Sequence, residues 1–437
     1  MEPDVSDSAG TPSGGAGTGG TPGAGASASG RGLSRRRRRR WLRRSGIAVA
    51  VLVVAAVGTG WAVYAKLSDN ITPDEAAADE LARYEKERPT SLAHGAQNIL
   101  LIGSDSRSGD ANARYGEDSG TERSDTTILL HLAAGRHSAT AVSVPRDLMV
   151  DVPGCLRPDG SRTEPVFAMF NYAFQTGGSA CTVRTVEKLT GIRVDHHVVV
   201  DFQGFKKMVD SLDGVEVCLK EPIDDKDARL KLPAGRVTLD GEQALGYVRA
   251  RKSLGNGSDT DRMERQQRFL GALVNKVRSN DVLLNPVKLY PVLDAATSSL
   301  TTDPGLASLR GLYELVRGLR DIPTERVQFL TVPRESYTLD ANRDQLVKSE
   351  AEKLFTRLRR DEPVVIAGDV PRDFSGNGGS PGGARAGSGV PRELPHDYGE
   401  YGHGDAKSPE LRADEPGEGD SPPPTFPGNT AAEDTCR

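Results

Sequence analysis

The sequence predicts an α/β domain, a β-sheet covered by helices, carried behind one transmembrane helix. Three observations predict it. Strand-like and helix-like segments alternate from residue 96 to residue 362 without an internal repeat, the pattern that builds a sheet with helices packed on it. An uncharged, largely apolar run from Ser45 to Ala65 is long enough to cross a bilayer as a helix. Both ends are rich in Gly, Pro, Ser and charge, so the folding material sits in the middle of the 437 residues.

Residues 1–44 read as a disordered segment ending in a polybasic stretch, with nine arginines between Arg31 and Arg44. That charge lies directly before the span at 45–65, and only Lys66 and Asp69 follow closely. The positive-inside rule then predicts a cytoplasmic N-terminus and an extracellular domain, in a single-pass cell-membrane protein. Trp41, Trp61 and Tyr64 stand where interfacial aromatics are expected. "VYA" before Lys66 resembles a cleavage site, but the apolar run is longer than a signal core, which favours an uncleaved anchor. The arginine block reads as a topology determinant rather than a nucleic-acid patch or an export signal. The net charge of -5 also argues against a nucleic-acid partner.

Residues 66–95 read as a helical stalk, with acids and bases at helical spacing. "NILLIG", "TTILLHL" and "ATAVSVP" are short apolar runs expected as buried strands, the last two joined by the hairpin-length "AAGRHS". "DHHVVVDF", "GVEVCL" and "ERVQFLTVP" read as further strands. "CTVRTVEKLTG", "FQGFKKMVDSL", "DGEQALGYV", "DRMERQQRFLGALVNKVRS" and "SLRGLYELVRGLR" read as helices, with "DQLVKSEAEKLFTRLRR" as a closing one. Residues 363–437 are expected as a disordered tail. Cys155 and Cys181 flank one loop and are expected to form a disulfide outside the cell. Cys218 and Cys436 have no assigned partner, and no Cys/His spacing suggests zinc.

"GSDSR" puts Asp105 and Arg107 at the C-terminal end of the first strand, and "ERSDTT" puts Arg123 and Asp125 at the start of the second. If those strands are antiparallel neighbours, both aspartates lie at one sheet edge. The third strand returns to the same edge and ends in "VPRD", with Arg146 and Asp147. Paired carboxylates beside arginines suit a hard divalent cation that bridges phosphate oxygens. Either aspartate alone is equally well an ordinary turn former; the functional reading comes from their convergence.

Five more arginines lie in "YVRARKSLGNGSDTDRMERQQR". Arg249 and Arg251 leave one helix two residues apart, which in extended chain points both to one face. Arg262 and Arg265 sit beside the Met263, Leu270, Val274 and Val277 stripe of the next helix, near its anion-favouring N-terminus. Arg268 falls opposite, four residues after Glu264, and reads as a surface ion pair.

Taken in order, "NILLIGSDSR", "RSDTTILLHL", "VSVPRDLMVDVPG", "LDGEQALGYVRARK" and "DTDRMERQQRFL" resemble the motifs of the LytR-CpsA-Psr family of envelope proteins, in its actinobacterial form, over roughly residues 96 to 335. The resemblance implies an α-β-α sandwich with a central mixed sheet. It implies a phosphotransferase that moves a glycopolymer from a polyprenyl-pyrophosphate carrier to peptidoglycan or an equivalent wall acceptor. The lipid would lie in an apolar cavity, with Mg²⁺ as cofactor. By motif match, Asp105 and Asp125 fall on metal positions, and Arg123, Arg146, Arg249, Arg251, Arg262 and Arg265 on pyrophosphate-binding ones. Asp125, Arg146 and Arg251 are the implied catalytic residues. Two positions depart from the family pattern: Met169 replaces a lysine and Phe174 a tyrosine. The insertion between Asp105 and Asp125 is expected as a flap. The same residues would also serve a lipid-pyrophosphate phosphatase or a lipid-binding scaffold. A transcriptional attenuator is opposed by the lack of a helix-turn-helix signature.

Overall fold

The structure, a computed structural model, describes residues 31–104, 124–226, 228–250, 259–279, 285–367, 424–433 and 436, without the side chains of 31–39, 125, 259, 260, 286 and 287. It divides into two units, residues 1–63 and 64–437. The described part of the first is helical, within α1 (Arg31–Asp69). The stretch from Arg40 to Asp69 is, among the described residues, the one helix long and apolar enough to cross a membrane.

The second unit begins with β1 (Thr72–Pro73), α2 (Glu75–Arg83), β2 (Gln97–Ser104), β3 (Ser124–Leu132) and β4 (Ala139–Val144). A hairpin of β5 (Met149–Val152) and β6 (Val166–Met169) precedes α3 (Asn171–Thr190), β7 (His196–Asp201) and α4 (Phe202–Ser211). Then come β8 (Val215–Leu219), β9 (Ile223–Asp225), β10 (Leu230–Leu232) and β11 (Gly235–Leu239), with β8 pairing β11 and β9 pairing β10. Helices α5 (Gly241–Arg249), α6 (Asp259–Arg278) and α7 (Pro286–Thr297), strand β12 (Leu300–Thr302), α8 (Leu309–Arg320) and β13 (Val327–Thr331) follow. A second hairpin, β14 (Arg334–Tyr337) with β15 (Asp340–Leu346), leads to α9 (Lys348–Arg359) and β16 (Val365–Ile366). The last strands are β17 (Thr425–Phe426) and β18 (Gly428–Thr430).

Eight strands make one mixed sheet in the order β1-β12-β7-β2-β3-β4-β13-β18. β2 pairs antiparallel with β3 and parallel with β7, and β4 pairs parallel with β13. Successive side chains of a strand point to opposite faces. Leu100 and Ile102 of β2 therefore join one core, with Val183 and Val186 of α3 and Leu354 and Phe355 of α9. Ile99 and Leu101 join the other, with Leu270 and Val274 of α6 and Leu312 and Leu315 of α8. Burial on both faces explains why these strands read as continuous apolar runs. A third core lies around β8 and β11 and takes in Tyr247 of α5 and Phe269 of α6. Helix α6 thus packs on two cores at once.

The expected Cys155–Cys181 disulfide is present, with Cα atoms 5.6 Å apart. It is accommodated by Gly177 within α3, where a Cβ would lie 2.8 Å from the Cys181 Cβ and 2.9 Å from the Leu156 carbonyl oxygen. Three expectations need correction. Residues 66–95 are not a free stalk: Ala77 and Leu81 of α2 enter the first core, and Arg88 forks onto the buried Glu187 at 2.8–3.1 Å. The closing helix begins only at Lys348, because "DANRDQL" forms β15 against β14. The chain end is not all tail. β18 pairs antiparallel with β13, Phe426 and Ala431 enter the two sheet cores, and Cys436 is disulfide-bonded to Cys218. Pairing with β18 satisfies the open side of β13, which would otherwise be an exposed sheet edge.

The Cys218–Cys436 bond closes a separation of 218 residues and ties the short β18 segment to β8. Cys436→Ser should release β18: amide exchange at Gly428–Thr430 speeds at least about tenfold, while β2 amides keep their protection, read by hydrogen exchange. A second test uses Asp74, which accepts hydrogen bonds from the Ala77 N–H and from Ser179, with His197 Nε2 at 3.1 Å. Burial pushes this carboxyl up, and the hydrogen bonds from His197, Ser179 and Ala77 outweigh that and hold it below its ordinary 3.8. A depressed carboxyl contributes stability that is full above its unfolded value and lost as pH falls through the lower folded value. Acid unfolding followed by circular dichroism should therefore lose part of its steepness below 3.8 in Asp74→Asn.

Candidate active site

The register of β2, β3 and β4 decides what the site contains. Ser104 at the end of β2 pairs with Ser124 at the start of β3, after a bulge at Gly103, and Val144 ending β4 pairs with Thr127. The ends of the three strands therefore meet at one sheet edge. Asp125 lies in β3 at that edge, its side chain outside the described set, and Asp105 directly follows Ser104. Asp105, Arg107, Arg123, Arg251 and the expected flap lie outside the described residues.

Beside this edge is a cavity of about 870 Å³. Leu101, Ile128, Val200, Phe202, Phe205, Met208, Leu245, Phe269, Leu270 and Leu273 supply an apolar wall. Arg146, Arg249, Arg262, Arg229 and Arg343 supply guanidinium groups, and Asp147, Asp201, Asp225 and Glu242 supply carboxylates. Arg146 follows Pro145 at the end of β4, and its Nε donates to Asp147 Oδ2 at 3.2 Å. Arg249 ends α5 with its guanidinium 4.6 Å from the Phe202 ring centroid, a cation–π distance. Asp147 and Glu242 pair with cations, Glu242 with Lys206 at 3.4 Å, and the other two carboxylates serve the backbone. Asp201 caps α4 by accepting from the Gly204 N–H at 2.6 Å, and Asp225 accepts from the Ala228 N–H at 2.9 Å.

The arginines of α6 do not act alike. Arg262 is 5% exposed and lines the cavity. Arg265 is equally buried but does not line it; its Nη2 donates to the Ala250 carbonyl, just past the end of α5. Burial pulls the Arg265 guanidinium below its ordinary value. Gln266 donates to the Val248 carbonyl at 3.1 Å, and Gln267 reaches Ser143 and Thr331 at 3.3 and 3.1 Å. Three consecutive side chains thus bolt α6 to the exit of α5 and to the sheet. The expected surface pair is present, with Arg268 Nη2 3.2 Å from Glu264 Oε2. Met169, at the family's lysine position, lines the cavity, while Phe174 is in the first core.

A covered mixed sheet beside a cavity that joins apolar wall to guanidinium groups is a site with the chemistry to hold an amphiphile bearing an anionic head. Residues 67–360 match the model of the LytR_cpsA_psr family, and the chain belongs to that family. It is similar to the probable cell wall biosynthesis protein LcpB of Corynebacterium glutamicum, 37% identical over 52% of this chain and 54% of that protein. The chain thus spans about half the length of that relative. It is also similar to the polyisoprenyl-teichoic acid–peptidoglycan teichoic acid transferase TagT of Bacillus subtilis, 30% identical over 64% of this chain and 83% of that protein. Among solved structures, protein gbs0355 of Streptococcus agalactiae shares the fold. Its TM-score is 0.51, at 21% identity over 63% of this chain and 92% of that one.

Sequence reasoning missed Arg229 and Arg343 on the cavity wall. Arg343 lies in β15, directly before the segment read as the closing helix, and no local signal pointed to it. Arg229 follows β9, and only the packing of the small ribbons against α5 brings it in. The α6 junction gives a direct test. Arg265→Met keeps length and apolar contact but leaves the Ala250 carbonyl without its donor, which should cost about 1–3 kcal/mol by urea denaturation. Arg268→Met, at the exposed pair, should cost less than about 1 kcal/mol.

Proposed function

We propose that this protein transfers a glycopolymer from a polyprenyl-pyrophosphate carrier to a hydroxyl of peptidoglycan or an equivalent wall acceptor. The domain after the span faces outward in this reading, and the carrier is reached from the membrane. The observation that carries it is a cavity in which an apolar wall meets Arg146, Arg249 and Arg262. An isoprenoid suits the wall and a pyrophosphate suits the guanidinium groups. The names of TagT and its counterparts support the same substrate class.

The acceptor hydroxyl oxygen forms a bond to the sugar-side phosphorus, and the bond to the lipid-side phosphate oxygen breaks. Polyprenyl phosphate leaves and the polymer stays on the acceptor through one phosphate. Arg146, Arg249 and Arg262, with Arg123 and Arg251, hold the pyrophosphate and meet the charge that develops on the leaving phosphate. Asp125 takes the hydroxyl proton. Asp105 and Asp125 would also hold Mg²⁺. Oxygen donors suit that hard cation, and the Ser104–Ser124 pairing brings both backbone positions to one edge. When bound, the ion would screen charge on the phosphate oxygens.

The test supplies the full chain, in nanodiscs, with a synthetic polyprenyl-pyrophosphate-linked glycan, with and without soluble peptidoglycan. Covalent attachment that needs the acceptor is expected. Phosphate release at the same rate without acceptor, and no attached polymer, would mean a phosphatase instead. Arg146→Ala and Arg249→Ala should each lower turnover about 100-fold or more, while far-ultraviolet circular dichroism shows the folded spectrum of the wild type.

A further inference from the structure

Two hairpins adjoin the cavity, and neither carries a motif arginine. In the β5–β6 hairpin, Val150, Val152 and Ala168 turn toward the first core. Alternation puts Met169 and Phe167 on the other face, where Phe167 pairs across from Asp151 and Met169 from Met149. Met169 lines the cavity, so this face leads from the cavity wall outward to Phe167, whose side chain is half exposed. The β14–β15 hairpin leans on the first one. Its Tyr337 ring lies 6.1 Å from the Phe167 ring, and Asp344 bridges to Leu148. Its Arg343 lines the cavity and is held between Asp147 at 3.5 Å and Asp340 at 3.6 Å.

The result is a shelf of two tilted aromatic rings, edged by carboxylates and ending at a guanidinium on the cavity wall. Phe167 is half exposed and Tyr337 half-buried, and accessible aromatic rings beside a site offer contact area to a ligand. Ring faces edged by planar hydrogen-bonding groups fit a sugar, with C–H faces on the rings and hydroxyls on Asp151, Asp340 and Arg343. The carboxylate edge disfavours an anionic lipid surface.

We propose that this shelf seats the acceptor as a glycan chain, with Phe167 and Tyr337 stacking on its sugars and Arg343 positioning the inner residue at the cavity. This rests on the transferase reading and assigns the acceptor its place. The full chain in nanodiscs is assayed with the lipid-linked glycan as donor and soluble peptidoglycan glycan strands as acceptor. In Phe167→Ala/Tyr337→Ala the acceptor KM should rise about tenfold, as two lost stacking contacts imply. The kcat and donor KM should stay at wild type, and Arg343→Lys should retain more acceptor affinity than Arg343→Ala. A purely structural role for the two rings would shift donor KM as well. An unchanged acceptor KM, or equal loss toward donor and acceptor, overturns the shelf. If the wild type forms no product, the transferase reading fails, and chitotetraose titration by NMR decides the shelf separately. Binding by the wild type that the double variant loses keeps it; binding that persists in the variant, or is absent from the wild type, overturns it.

Discussion

The pairing of β2 with β3 on one side and β7 on the other is the constraint on which the rest of the structure depends. It places a strand in the middle of the sheet with both faces buried, so Leu100 and Ile102 must meet one helical layer and Ile99 and Leu101 another. Its register also brings the end of β2 against the start of β3. The end of β4, from which Arg146 follows, lies beside them through the Val144–Thr127 pairing. A shift of one residue would send the β2 side chains to the opposite cores and slide Ser104 off Ser124.

Helix α6 has the second controlling role. It packs on the sheet core through Leu270 and Val274 and on the small-ribbon core through Phe269 and Leu273. A helix packed on two sides keeps one free flank, which carries Glu264 and Arg268; Arg262 and Arg265 lie off it. Arg262 and Arg265 are therefore buried, one on the cavity wall and one bound to the Ala250 carbonyl. Sequence spacing alone sets both beside one apolar stripe and cannot tell them apart, because it carries no information about a second core. The distinction matters for chemistry: Arg262 faces the cavity, whereas one Arg265 N–H holds the exit of α5, the helix that Arg249 ends.

The chain end follows a different logic. Its composition is that of a solvated tail, and over most of its length nothing in the sequence contradicts that. One short segment, "PTFPGNTA", nevertheless contributes Phe426 and Ala431 to the cores and a strand to the sheet. A single aromatic among prolines and glycines is too weak a local signal to announce a strand. What makes it one is the open edge of β13 and the cysteine partner waiting on β8.

The sequence by itself determined the apolar span, the alternation of strands and helices, the first disulfide and the Glu264–Arg268 pair. These depend on composition and short-range periodicity, both of which are local. Tertiary structure alone decided that residues 66–95 pack on the domain and that the chain end returns to the sheet. It alone separated Arg262 from Arg265, brought Arg343 to the cavity and set Phe167 against Tyr337. Each of these is a contact between segments far apart in the chain, fixed by which surfaces are left unburied once the sheet has formed, and no window of sequence contains both partners.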